Sequence, residues 1–389
     1  MQILRPLASV LVAGACMISC GGSATTPSAV PTSRANGDVT TYRGDAGRTG
    51  VMHGPGPTGS PGVAWQFQAD APIGSSPAVV GDRAFLLSND GVVHALDLAT
   101  GTVMWKVELG ATTGSASPLV VAGLVVVGDH SGVVHALDLA SGVKRWSTQT
   151  DGAIDGAAAA IGDVVLTATE TGTAYALDAR TGAVTWKATL PKGVTHSVTA
   201  SADTVFVGAA GTLVGLRLSD GSLLWQSPVA TSGDCGTPTV AGGLVFDATG
   251  IDGKDLTAKG VVAVEAFTGS VRWRYASPTQ RQAYTPAVSN DRAYVVSEDG
   301  TVVALDSATG ALVWTAPTGA VNEALPAIVD GLVYVPTNGS SLVTLDAANG
   351  AIRWRAPIVG GPYAPVVAHG MVLVGTSVGV LYAIGGTAK

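Results

Sequence analysis

Eight tryptophans recur along this chain at a nearly constant interval: Trp65, Trp105, Trp146, Trp186, Trp225, Trp273, Trp314 and Trp354. The successive gaps are 40, 41, 40, 39, 48, 41 and 40 residues. A period near 40 residues marks one supersecondary unit repeated, each copy needing its neighbours to bury its apolar face. The surrounding wording repeats as well. Residues 95–105 read ALDLATGTVMW, 136–146 ALDLASGVKRW, 176–186 ALDARTGAVTW and 304–314 ALDSATGALVW, with looser copies ending at Trp225, Trp273 and Trp354.

One unit, residues 75–108, shows what each copy must be. Short β-branched and apolar runs at 78–80, 84–87, 92–96 and 103–107 are separated by Gly81-Asp82, Ser88-Asn89-Asp90-Gly91 and a turn over 97–101. Four short strands with turn signals every few residues predict an antiparallel four-stranded sheet. No stretch keeps a 3.6-residue apolar period long enough for a helix. A radial array of such sheets is a β-propeller, which leaves only short, protected edges. Asp97 is placed to accept N–H groups of its turn, and Gly101 to take positive φ. Each Trp then lies in an outermost strand and docks against the next blade. Burying roughly 200 Å² of ring at ~25 cal/mol per Å² is worth about 5 kcal/mol before entropy.

The strand count predicts how the ring closes. The middle strand pair recurs eight times, the last over 370–384, and the Trp strand also occurs eight times. The first Trp strand, 63–68, precedes every other strand, while the last unit, 364–384, stops before its own. The expectation is an all-β, eight-bladed propeller of four-stranded antiparallel blades over 62–386, with the N-terminal strand completing the last blade.

Charged residues make up only 13% of the chain against ~25% in typical soluble proteins, and glycine is abundant at 52. Beyond residue 20 the apolar runs are broken by glycine and fall short of the ~20 residues of a membrane span. The N-terminus differs: Arg5, an apolar run over 7–18 and small residues read as a secretory signal. It ends at Cys20-Gly21-Gly22-Ser23, which resembles a bacterial lipoprotein processing site where the new N-terminal cysteine is fatty-acylated, as by palmitate. Met17 stands where leucine is usual, and Cys16 is an alternative. The expected organisation is a signal over 1–20, a flexible Ser/Thr/Pro tether over 21–40, a lead-in segment over 41–61, then the propeller. The remaining cysteine, Cys235, has no internal disulfide partner. Removing the signal removes Arg5, leaving 20 basic against 28 acidic residues, a net charge of −8. That balance argues against a nucleic-acid backbone or an anionic membrane surface as partner.

The repeat A-x-D-x-x-T-G-x-x-x-W resembles the tryptophan-docking motif of the pyrroloquinoline-quinone (PQQ) propeller family, over most of the chain beyond residue 62. Residues 42–50, YRGDAGRTG, resemble the lead-in of such propellers. Within the family, the chain is most similar in size and address to the lipoprotein subunit of the outer-membrane β-barrel assembly machinery. That likeness implies an acylated, quinone-free propeller used as a scaffold. The other branch, the quinoprotein dehydrogenases, implies PQQ and calcium; its vicinal disulfide needs adjacent cysteines, and Cys235 stands alone. Its site also needs convergent oxygen ligands and a catalytic carboxylate. No residue-to-residue match supplies these, so the fold carries over and the catalytic residues do not.

Aligning the units on their prolines exposes positions at the channel mouth that leave the Gly/Ser/Ala consensus: Asp155, His196, Cys235, Arg281, Tyr284, Glu323 and Tyr363. Repeat positions that abandon the consensus for polar or aromatic residues are natural contacts, because the scaffold does not demand them; drift on a solvated rim is the plainer reading. Asp155, Arg281, Glu323 and His196 form the polar set of a small-molecule site, if one exists. The middle loops Asn89-Asp90, Asp129-His130, Glu170 and Glu298-Asp299 share that face with an insertion over 247–259. Its Asp247, Asp252 and Asp255 lack the D-x-D-x-D-G spacing of a calcium loop, so no metal is expected. His94 and His135 hold equivalent positions and read as packing choices. Asp155, His196 and Cys235 fall in consecutive blades, too far apart for the ~3 Å of nucleophile activation.

The leading expectation is a non-enzymatic, lipid-anchored, monomeric scaffold outside the cytoplasm, presenting a propeller face to envelope or secreted proteins. The membrane is met only through the anchor. The competing expectation is a PQQ-dependent or other small-molecule site at the mouth.

Overall fold

A computed structural model describes residues 37–59, 61–190, 197–209, 211–229, 236–249, 259–279, 281–289, 291–319, 325–338 and 341–386. The signal, Cys16, Cys20 and most of the tether lie outside the described residues, as do His196, Cys235, Asp252, Asp255 and Glu323. The described strands form eight four-stranded antiparallel sheets. In blade 1 the chain runs through Ala78–Val80, Arg83–Ser88, Val92–Asp97 and Val103–Glu108. The short first strands of successive blades lie side by side around the axis, so each blade is laid down from the channel outwards. Second and third strands are buried nearly throughout, because a blade lies on either side of them; outer strands alternate.

Closure follows the strand count. Blade 8 takes Val366–Ala368, Met371–Gly375 and Val380–Gly386 from the C-terminal end and Pro61–Gln68 as its outer strand. The two ends pair antiparallel from Pro61 opposite Gly386 to Gln68 opposite Val380.

The blade-to-blade joint is the same at seven seams. The indole Nε1–H of Trp65 donates to Leu98 O at 2.9 Å, on the turn of the following blade. Trp105, Trp146, Trp186, Trp225, Trp273 and Trp314 repeat this with Leu139, Ala179, Leu218, Ala266, Ser307 and Ala347. The ring then lies on the turn glycine: a Cβ on Gly182 would sit 2.5 Å from Cε3 of Trp146, and its φ is +72°. In five blades the turn opens on an Asp that holds it shut, Asp97 Oδ1 accepting from Thr100 N and Thr100 Oγ1 at 2.9 and 2.8 Å. In every blade the pairing slips by one residue just before the Trp, a bulge that turns the ring toward its neighbour.

The channel is filled by the chain itself. Ordered pairing starts at Asp38 and Val39, inside the stretch whose composition reads as tether, because Val39 exchanges both backbone hydrogen bonds with Val79 at 2.8 Å. The following carbonyls accept amides of the innermost strands in turn: Thr40 from Val120, Ala46 from Ala200, Gly47 from Val240, Thr49 from Val288 and Gly50 from Ile328, at 2.7–2.9 Å. Pro55 O accepts from Gly370 N in blade 8, and Arg48 reaches blade 3 through Ala157 O and Ala158 O at 3.0 and 2.7 Å. A single segment, 38–55, therefore touches all eight blades. Innermost strands present unpaired amides, and this plug satisfies them.

Candidate functional site

Alternating turns give the ring two unlike faces. The first-to-second and third-to-outer turns lie on one, here the turn face. The second-to-third turns and the inter-blade connections lie on the other, the mouth face. There the two kinds of loop are tied together: Asn89 N donates to Pro72 O, His130 N to Thr112 O, Glu170 N to Ala153 O, Glu298 N to Gln282 O and Ser377 N to Gly361 O.

Under these loops a belt of hydroxyls links neighbouring blades. Ser76 N donates to Ser117 Oγ at 3.0 Å, Ala157 N to Ser197 Oγ at 2.9 Å and Ser197 N to Thr237 Oγ1 at 3.3 Å. Ser76 Oγ donates to Ala364 O in blade 8 at 3.1 Å. Beneath the belt lie two buried arginines of the plug. Arg48, 0% exposed, donates through Nε to Val198 O, through Nη1 to Thr41 Oγ1 and Tyr42 O, and through Nη2 to the two blade 3 carbonyls. Arg43 donates to Arg48 O, Pro286 O and, at 3.4 Å, Thr285 O. Burial depresses the Arg43 pKa, opposed by Tyr42 and Asp45, without discharging a guanidinium. The sequence singled out the YRGDAGRTG segment but gave its arginines no role. Both are unique positions, outside the repeat that made other residues readable.

Of the mouth residues singled out from the sequence, Asp155 is held by neighbouring loops. Its Oδ1 accepts from Ser115 N at 3.1 Å and lies 3.3 Å from His130 Nε2. It bridges one inter-blade connection to the next and to a middle loop. Arg281 is exposed. Tyr284 and Tyr363 are half-buried, their backbone amides donating to Val296 O and Gly375 O, and Tyr284 packs on the apolar cluster that includes Ala287 and Tyr294. These four residues come from three inter-blade connections.

Two acidic residues assigned to mouth loops are placed differently from the sequence reading, whereas His94 packs as that reading expected. Asp129 is turned into the blade: Oδ2 lies 2.7 Å from His135 Nε2, and Oδ1 accepts from Val133 N and Ser131 Oγ. Burial, the largest effect, raises its pKa, but these hydrogen bonds outweigh it and the net shift is downward. Asp247 belongs to the strand Leu244–Thr249, paired in register with Val262 and buried, because the strand runs further than its glycine-rich end suggests. It is not a loop ligand. His94 packs edge-on against Phe67, ring centroids 5.1 Å apart, and burial lowers its pKa.

A calcium ion and a quinone need several convergent oxygen donors. Among the described residues no group of three His, Cys, Asp or Glu side chains converges. Asp155 already serves Ser115 and His130, and the hydroxyls of Ser117, Ser197 and Thr237 accept from backbone amides of the belt. The described residues do not fit that pair of groups.

Trp-docked blades with Asp-x-x-Thr-Gly turns define a PQQ-like repeat propeller. The chain belongs to the family described as outer membrane protein assembly factor BamB, whose model matches residues 57–169 and 209–388. No curated protein matches the chain in sequence. Among solved structures it is similar to BamB from Moraxella catarrhalis, with a TM-score of 0.69 and 22% identity over 84% of this chain and 99% of that one. It is also similar to the computationally designed Ika8 protein, TM-score 0.71 and 16% identity over 81% of this chain and 96% of that one. The quinohemoprotein alcohol dehydrogenase from Comamonas testosteroni matches at TM-score 0.69 and 16% identity, over 90% of this chain and 81% of that one. At these identities the likeness is one of fold.

Proposed function

We propose that this propeller is a non-enzymatic scaffold, lipid-anchored outside the cytoplasm through Cys20, whose mouth face captures envelope or secreted proteins. The observation that carries the reading is the plug. A channel whose innermost amides are taken up by the chain's own segment leaves recognition to the rim, where Asp155, Arg281, Tyr284 and Tyr363 sit on inter-blade connections. His196 and Glu323, beyond the described residues, belong by sequence to the same rim. Membership of the BamB family supports an assembly role, and the signal-like start supports the address.

Two measurements test this. Mass spectrometry of the membrane fraction is expected to find a diacylglyceryl-modified N-terminus at Cys20; an unmodified mature start elsewhere refutes the anchor. Adding PQQ and calcium to purified protein is expected to give no saturable binding and no dye-linked oxidation of alcohols or sugars. Either activity overturns the scaffold reading in favour of a quinone site.

A further inference from the structure

Seven blade joints end on a turn carbonyl, and the eighth does not. Between blades 6 and 7, Trp314 Nε1 and Tyr294 Oη both donate to Ala347 O at 3.1 Å. Blade 7 repeats this pair of donors: the rings of Tyr334 and Trp354 stand 5.8 Å apart, as those of Tyr294 and Trp314 stand 5.9 Å apart. Blade 8 has no third-to-outer turn to meet them, because its outer strand comes from the other end of the chain. Gly385 and Gly386 instead run on in register with Gly62 and Pro61. Among the described residues nothing accepts from Trp354 Nε1, and no glycine of blade 8 lies under its ring. Tyr334 is 0% exposed and its hydroxyl has no partner. Thr344 lies between the two across the sheet, also fully buried, and its Oγ1 has no partner either. In the corresponding row of every other blade the middle residue is Ala or Gly. Buried hydroxyls in native proteins are almost always paired. Two orphans in one row, at the one joint without a turn, are a local cost that the repeat does not require.

We propose that this joint is a second docking site, on the turn face, for a tight turn of a partner polypeptide. Its backbone carbonyl is received by Trp354 Nε1 and Tyr334 Oη. The chain's own seven joints define the occupant: a turn with one carbonyl directed at the indole and a glycine lying on the ring. A side chain at that glycine is excluded, since a Cβ on Gly101 would sit 2.5 Å from Cε3 of Trp65. Trp354 is half-buried and its Nε1 is not sealed from solvent, so an approaching chain meets it first. The segment leaving the channel passes over Tyr334 at Gly56, where a Cβ would sit 2.5 Å from Oη, and gives it no acceptor. Reaching the hydroxyl takes a shift of Gly56, and the residues that follow, Thr58 and Gly59, are exposed. The site is separate from the mouth and owes nothing to anchoring at Cys20.

The test uses the full chain with isotope-labelled indoles, the Trp354 resonance being assigned by its loss in Trp354→Phe. The probe is a disulfide-closed hairpin peptide carrying residues 95–103, which spell the turn of blade 1. In the free protein the Trp354 indole proton is expected to exchange with water at least tenfold faster than the other seven. Peptide in millimolar excess is expected to shift that resonance alone and slow its exchange at least tenfold. No change at Trp354, or equal shifts at several indoles, overturns the proposal. So does equal binding of the same peptide with Gly101→Val. Tyr334→Phe is expected to weaken peptide capture at least threefold, whereas Tyr334→Phe and Thr344→Val each leave the melting midpoint unchanged or raise it, because an orphaned hydroxyl is removed. A lowered midpoint in both would show that the hydroxyls are already bonded, against the proposal. The last arm stops the chain after Gly386. Fast exchange at Trp354 with and without residues 387–389 supports the site. Protection in the full chain that the truncation abolishes would make the chain's own end the occupant, and the proposal falls.

Discussion

At the scale of single residues, two positions separate repeat-encoded contacts from the one that is not repeated. Gly162 and Gly182 both have positive φ, +57° and +72°, but only Gly182 lies under an indole. Alanine at either is expected to cost the ~1–2 kcal/mol of a left-handed L-residue. Gly182→Ala must also displace Trp146, adding roughly 1–3 kcal/mol. Chemical denaturation of both variants checks this, and equal losses would mean that the ring yields freely. Arg48 is the unrepeated case. Its guanidinium serves five oxygens from three stretches of chain, and Arg48→Met leaves buried carbonyls unpaired, at an expected cost on the order of 3–5 kcal/mol. Arg48→Lys is expected to recover little, since an ammonium has three donors and no planar fork. A lysine variant within 1 kcal/mol of the parent would show that the charge, not the fork, holds the plug. The Trp and Gly contacts were legible because seven copies spell them, and the Asp contacts because five do. Arg43 and Arg48 were not, because nothing in a single sequence says that a glycine-rich lead-in will be threaded through a ring.

At the scale of strands and turns, closure and acid sensitivity are the testable properties. The outer strand Pro61–Gln68 pairs with the last strand of blade 8 and runs on into blade 1, joining the two ends of the ring. Deleting residues 61–68 is expected to lower the melting midpoint by more than ten degrees, on the usual few degrees per kcal/mol. Removing residues 1–36 is expected to leave it nearly unchanged, and the reverse ranking would refute closure at this strand. The repeated turn carboxylates set the pH response. Asp97, Asp178 and Asp306 are held below the ordinary carboxylate range chiefly by hydroxyls of Thr100, Thr181 and Thr309, and Asp138 and Asp346 chiefly by Arg145 and Arg353. Because their folded pKa values are depressed, their stabilisation is present above the unfolded value near ~3.9 and is lost as pH falls through the folded values. Calorimetry is expected to give a midpoint nearly flat from pH 7 to about 5 and falling steeply below about 4. A midpoint still flat at pH 2.5 would remove these turns from the account. In blade 1 the strand limits were readable to within a residue from turn chemistry, whereas the closing strand starts two residues before the expected 63, and Asp247 was misplaced because glycine and aspartate masked a strand that pairs to Thr249.

At the scale of the whole molecule, counting strands sorted the residues onto two faces, since antiparallel turns must alternate. It left the interior of the ring blank, because no repeat position announces what fills a channel. The filling bears on partner capture. With the channel occupied, binding energy has to come from the mouth rim, and aromatic and arginine side chains supply most of it at protein interfaces. Tyr284 and Tyr363 stand half-buried beside small loops, with Arg281 exposed near Tyr284 in the same connection. The opposite face offers turn carboxylates already bonded to their own threonines and arginines, which makes it a poor source of new contacts. Tyr284→Ala with Tyr363→Ala is therefore expected to weaken capture of an envelope partner at least tenfold while lowering the melting temperature by no more than a few degrees. Thr100→Ala with Thr309→Ala, on the turn face, is expected to leave capture unchanged. Cross-linking in intact envelopes, read as yield of a discrete adduct, distinguishes the two. An adduct that survives the tyrosine pair and vanishes with the turn pair would mean that the partner docks on the other face.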